Sequence, residues 1–131
     1  MAWCMLSGLL LMRRKILVIE DNQDCRNILV LQLKTLGYDV IEAESGNAGV
    51  EKAFLEMPDL IIMDLKMRGI DGIEATRCLK SNPSTQEIPI IVSTAWIAES
   101  SIREVLAAGA AVVLTKPLTH DLLREVLQKF Q

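Results

Sequence analysis

The sequence predicts an α/β fold, a doubly wound five-stranded parallel sheet with five helices on its two faces. Two observations carry that expectation. Five short apolar runs alternate strictly with five stretches at helical spacing. Such alternation means parallel strands joined by right-handed crossovers. The runs are also continuous, Leu60 to Met63 most plainly, with no polar residue at alternate places. That is the signature of strands buried on both faces.

The elements follow in order. Lys15 to Ile19 is the first strand. Asn22 or Asp21 can cap the helix after it, which runs to about Leu36 with Ile28, Leu29, Leu33 and Leu36 at helical spacing. Gly37 stops it. Tyr38 to Glu42 is the second strand. Ser45 caps a helix through about Leu55, and Pro58 closes that segment. Leu60 to Met63 is the third strand and ends at Asp64. Met67, Gly69 and Gly72 then form a loop, and Asp71 caps a helix to Ser81. Asn82 to Glu87 reads as a polar loop, and Ile88 to Ser93 as the fourth strand. Ser100 to Ala108 is a helix ended by Gly109. Ala111 to Leu114 is the fifth strand. Thr119 caps the last helix, with Leu122, Leu123, Val126, Leu127 and Phe130 on one face.

The chain has 131 residues, enough for one domain with a core of its own. Half of them are hydrophobic, and the net charge is −3. That balance argues against a direct nucleic-acid binder, which needs clustered Lys and Arg. Three scattered cysteines, Cys4, Cys25 and Cys78, form no CxxC. They point to a reducing, cytoplasmic setting and to packing rather than to disulfides or zinc. The single histidine, His120, reads as surface. Residues 1–13 read as an extension outside the domain, which occupies 14–131. Met1 to Met12 is apolar but too short to span a bilayer, which takes about 20 residues. Arg13, Arg14 and Lys15 follow that run, whereas a secretory signal carries its charges first.

The chemistry gathers at the carboxyl ends of the strands. Glu20 and Asp21 follow the first strand, Asp64 ends the third, Thr94 the fourth, and Lys116 follows the fifth. In an open α/β sheet that edge binds ligands. Three carboxylates at close quarters ionise together only around a cation, and oxygen ligands with water favour Mg²⁺. A lysine, a hydroxyl and a metal around one carboxylate make a phosphoryl site with Asp64 as its nucleophile.

The sequence resembles the response-regulator receiver domains of bacterial two-component systems. The likeness rests on Ile-Leu-Val-Ile-Glu-Asp-Asn at 16–22, Met-Asp-Leu-Lys-Met-Arg-Gly-Ile-Asp-Gly at 63–72, Ser-Thr-Ala at 93–95, and the Ala-Ala-Gly-Ala and Leu-Thr-Lys-Pro runs within 107–117. It implies a flavodoxin-like sheet in the order 2-1-3-4-5. It further implies that Asp64 accepts a phosphoryl group from a phosphohistidine on a sensor histidine kinase or phosphotransfer protein. Asp21, Asp64 and the backbone carbonyl of Lys66 would ligate Mg²⁺, with Glu20 acting through water. Thr94 and Lys116 would contact the phosphoryl oxygens, and Ala95 would leave them room. Unless the chain was cut from a longer one, the output would be a change in binding to a downstream protein, since no effector domain is attached.

Four positions depart from the family's pattern. Arg68 stands where proline is common. Lys66 and Trp96 occupy positions that in the family flank the path of water to the phosphoryl group, which predicts slow loss of the label. Val113 replaces the aromatic ring that usually reports the switch. Two other classes fit less well. A phosphatase of the haloacid-dehalogenase type would need a general acid where Lys66 stands, and a dinucleotide-binding domain would need glycines where Asp21-Asn22-Gln23 stands.

Overall fold

The structure, a computed structural model, describes residues 14–95 and 98–131. Its strands are β1 (Lys15–Ile19), β2 (Asp39–Ala43), β3 (Leu60–Asp64), β4 (Ile90–Thr94) and β5 (Val112–Thr115). Its helices are α1 (Gln23–Thr35), α2 (Gly46–Glu56), α3 (Gly72–Lys80), α4 (Glu99–Ala108) and α5 (His120–Gln128). The strands form one sheet in the order β2-β1-β3-β4-β5, every pair parallel. This is the doubly wound topology that the alternating pattern and the resemblance imply. The extension at residues 1–13 and the expectations placed on Trp96 lie outside the described residues.

A strand's side chains point alternately to opposite faces, so each inner strand feeds two cores. Ile16 and Val18 of β1, Leu60 and Ile62 of β3 and Ile91 of β4 meet Leu29, Val30 and Leu33 of α1 and Leu123, Val126 and Leu127 of α5. Leu17 and Ile19, Ile61 and Met63, and Ile90 and Val92 point the other way. They meet Val50 and Ala53 of α2, Ala75 and Leu79 of α3, and Val105 of α4. Burying each such aliphatic side chain contributes about 1.5–3 kcal/mol relative to leaving it exposed. The two cores fix the sheet from both sides and so fix where its carboxyl edge lies.

Four of the five helix starts obey the capping rule, α4 after Ala98 being the exception. The side chains of Asn22, Ser45, Asp71 and Thr119 accept from the backbone N–H of Cys25, Ala48, Glu74 and Leu122. Between the two candidates for the first cap, Asn22 takes it, which leaves the carboxylate of Asp21 for the sheet edge. Gly37, at φ 98°, ends α1 in the left-handed region where glycine carries no Cβ penalty.

Several expectations shift. Strand β4 starts at Ile90 rather than Ile88, because Pro89 has no N–H for a ladder and the Ile88 N–H closes a turn onto Thr85 O at 3.1 Å. Strands β2 and β5 each run one residue later than their apolar runs suggest. The loop at 82–87 is polar in composition, yet its Thr85 is fully buried and donates to Leu79 O at 2.6 Å. Ile28 is 61% exposed rather than core, since Leu29, Val30 and Leu33 define the inner face of α1 and Ile28 lies off it. Cys25 and Cys78 are exposed, not packed, for the same reason of helix phase.

Candidate functional site

Four strands bring the predicted groups together. Parallel pairing sets Ile19 beside Met63, Asp64 beside Ser93 and Thr94 beside Thr115. The residues at or just beyond those ends therefore share one edge: Glu20 and Asp21 after β1, Asp64 on β3, Thr94 on β4 and Lys116 after β5. The main chain ties the edge together. Leu65 N–H donates to Ser93 O at 3.0 Å, and Lys116 N–H donates to Thr94 O at 2.9 Å. Thr94 is buried, while Lys66 is exposed in the loop between β3 and α3.

Glu20, Asp21 and Asp64 each offer a carboxylate oxygen, and those oxygens lie within 4.8 Å of one another. Glu20 is almost fully buried. Its Oε2 accepts from Asn22 N–H at 3.3 Å and its Oε1 lies 2.5 Å from Lys116 Nζ. The same ammonium is 3.6 Å from Asp64 Oδ1. Asp21 is held from the other side, its Oδ2 accepting from the backbone N–H of Arg68 at 3.1 Å, with Arg68 Nε 3.7 Å away. One ammonium thus serves two carboxylates in the buried half, and one guanidinium sits at the open half.

The charges act on one another. Burial, and then the neighbouring Glu20 carboxylate, raise the Asp64 carboxyl to about 6, although Lys116 works against the rise. Burial by itself lowers the Lys116 ammonium. The hydrogen bond to Glu20 and the charges of Asp64 and Glu20 outweigh that, so its pKa stands above the ordinary value. A raised carboxyl beside two other acids marks a site short of positive charge. Three hard oxygen donors within a few ångströms suit Mg²⁺ in chemistry and in spacing.

A cavity of about 350 Å³ opens beside Asp64 and Lys116. Ile28, Leu29 and Gln32 of α1 line one wall, and Pro117 and Leu118 the other. Helical periodicity in the sequence assigned Ile28 to the core and gave no sign of this wall. A second cleft of about 580 Å³ lies over β2, but its lining includes none of Glu20, Asp21, Asp64 or Lys116. Its Glu42 is already paired with Arg26 at 3.2 Å.

Residues 16–128 match the response regulator receiver domain family. The chain belongs to the response regulator receiver family. It is 34% identical over 113 residues to protein PilH of Pseudomonas aeruginosa, covering 86% of this chain and 93% of PilH. Response regulator PleD of Caulobacter vibrioides is 33% identical over 112 residues, and there the receiver corresponds to 25% of the longer protein. Among solved structures, the chemotaxis protein CheY4 of Vibrio cholerae superposes with a TM-score of 0.85 at 27% identity, over 91% of this chain and 99% of CheY4. The receiver domain of sensor histidine kinase PA1611 from Pseudomonas aeruginosa does so with 0.84 at 30% identity, over 90% and 97% of the two chains. That structure carries a magnesium ion coordinated in its active site cleft.

Proposed function

We propose that this receiver, carried by residues 14–131, takes a phosphoryl group on Asp64 and signals by changing which protein it binds. The donor is a phosphohistidine on a sensor histidine kinase or a histidine phosphotransfer protein. The observation that carries the reading is the setting of Asp64, with one oxygen near Lys116 and two further acids within 4.8 Å. A carboxylate oxygen of Asp64 attacks phosphorus, the N–P bond of the donor breaks, and the imidazole leaves with a proton. The product is an acyl phosphate, which water later hydrolyses to inorganic phosphate and the free carboxylate.

Each residue has a part in this. Lys116 reaches Asp64 already and holds a phosphoryl oxygen. Thr94, at the end of the neighbouring strand, donates to another oxygen. Asp21, Asp64 and the Lys66 backbone carbonyl would hold Mg²⁺, with Glu20 acting through water, as the acid cluster and the Mg²⁺-bearing PA1611 receiver support. The metal, when bound, supplies the positive charge that offsets the anionic oxygens in transfer. The exposed Ile28 and the adjoining cavity give a donor an apolar surface beside the acceptor. The chain acts here as a switch that catalyses only its own phosphorylation and dephosphorylation.

Incubation with acetyl phosphate and Mg²⁺ tests the reading. The protein should gain one base-labile phosphoryl group, and EDTA should prevent the gain. Asp64→Asn should remove it. Equal labelling of that variant, or turnover of a generic phosphate ester by the wild type, would contradict the proposal.

A further inference from the structure

Arg68 makes two contacts to one atom that serve different ends. Its backbone N–H donates to Asp21 Oδ2 at 3.1 Å, a bond any residue but proline could give. Its Nε lies 3.7 Å from the same oxygen, beyond hydrogen-bond reach, so that contact acts through charge. The side chain is 86% exposed, so water competes for it and little binds it in place. Asp21 is the least enclosed member of the acid cluster, with 20% of its side chain exposed against 13% for Asp64 and 6% for Glu20. Lys116 neutralises the inner pair, and Arg68 covers the outer one.

We propose that the Arg68 guanidinium is a tethered counter-ion of the cation site, which Mg²⁺ must displace or oppose in order to bind. The inference rests on the reading of Glu20, Asp21 and Asp64 as a Mg²⁺ site and adds a role to a residue outside it. With no metal, the guanidinium relieves repulsion at Asp21. On binding, a dication enters roughly 6 Å from a tethered, mobile positive charge. Arg68 therefore sets the Mg²⁺ concentration at which the switch becomes competent. The backbone bond keeps Asp21 oriented in either state, which makes Arg68 a positioning residue as well as a competitor.

The magnitude follows from charge and screening. A unit charge roughly 6 Å from a dication in a water-like dielectric, partly screened by salt, changes affinity by about threefold to tenfold. The effect falls as ionic strength rises, because the group is exposed. A merely structural residue in the loop would show no such salt dependence.

Titration calorimetry of MgCl₂ into the unphosphorylated full chain decides it, with Arg68→Gln and Arg68→Lys beside the wild type. Arg68→Gln keeps the backbone donor and loses the charge. It should bind Mg²⁺ about threefold to tenfold more tightly at low salt, and the gap should close to under about twofold near 0.5 M salt. Arg68→Lys should stay near the wild type. Thermal melts in EDTA confirm that all three proteins fold. Equal affinities for Arg68→Gln and wild type at low salt would overturn the inference, as would a gap that salt leaves unchanged. If neither the wild type nor Arg68→Gln binds Mg²⁺ saturably, the metal-site reading itself fails, and this inference fails with it.

Discussion

Asp64 carries a cost that the rest of the domain sustains. Its carboxyl is raised to about 6 by burial and by Glu20, against about 3.9 in an unfolded chain. Below about pH 4 the acid is protonated whether the chain is folded or not, and the difference has no effect. As pH rises through 6, the folded chain must ionise a group the unfolded chain has already ionised, and this contribution to stability is lost. In EDTA, Asp64→Asn should therefore be more stable to unfolding than the wild type at pH 7.5, by an amount on the order of 1–3 kcal/mol. Lys116 keeps Glu20 as its partner in that variant. The gap should vanish near pH 4, and Mg²⁺ should narrow it at pH 7.5 by stabilising the wild type. Melting curves across that range check the sign. At this scale the sequence was legible where chemistry coincides with a strand end, and so it located Glu20, Asp21, Asp64, Thr94 and Lys116. It was not legible for Arg68, whose contact with Asp21 depends on how the loop turns back. Nor was it for Ile28 and Cys25, which a helical repeat alone could not keep out of the core.

Among the elements, the start of α3 is built against the acceptor strand. Gly72 N–H donates to Leu65 O at 2.7 Å. A Cβ on Gly72 would lie 2.8 Å from Asp64 O and 2.9 Å from Leu65 Cα, both main-chain atoms that cannot swing away. Gly72→Ala should destabilise the fold by about 1–3 kcal/mol and slow labelling of Asp64 by displacing the strand end. A variant that labels at the wild-type rate with an unchanged melting temperature would contradict this packing. Strand β5 bears on how the signal leaves. Val113 is half-buried against the core under α2, α3 and α4, and a valine is stiff at χ1 and too short to act as a swinging plug. Amide exchange with and without beryllofluoride should change over residues 95–102 rather than over β5. Val113→Ala should leave phosphorylation and partner binding coupled, whereas Thr94→Ala should uncouple them. The caps and most strand centres were readable because they depend on neighbours in sequence. The starts and ends of β2, β4 and β5 were not, because pairing with another strand decides them.

Among the described residues, the five parallel strands and the two cores are built from residues 15–130. A chain starting at Met12 should accordingly fold and label as the longer one does, with a melting temperature within a few degrees. The strand order was not derivable from composition or period, and came from the resemblance, because alternating strands and helices fit more than one doubly wound order. That order sets β1, β3, β4 and β5 side by side and brings five separated residues to one sheet edge. The central claim is that this site phosphorylates at Asp64. Borohydride reduction of the acetyl-phosphate-treated protein, followed by peptide sequencing in a mass spectrometer, tests it most directly, since an aspartyl phosphate is reduced to homoserine at its own position. Homoserine should appear at position 64 and nowhere else, and only when Mg²⁺ was present. Homoserine at position 21, or none at position 64 in protein that has gained a phosphoryl group, would contradict the account.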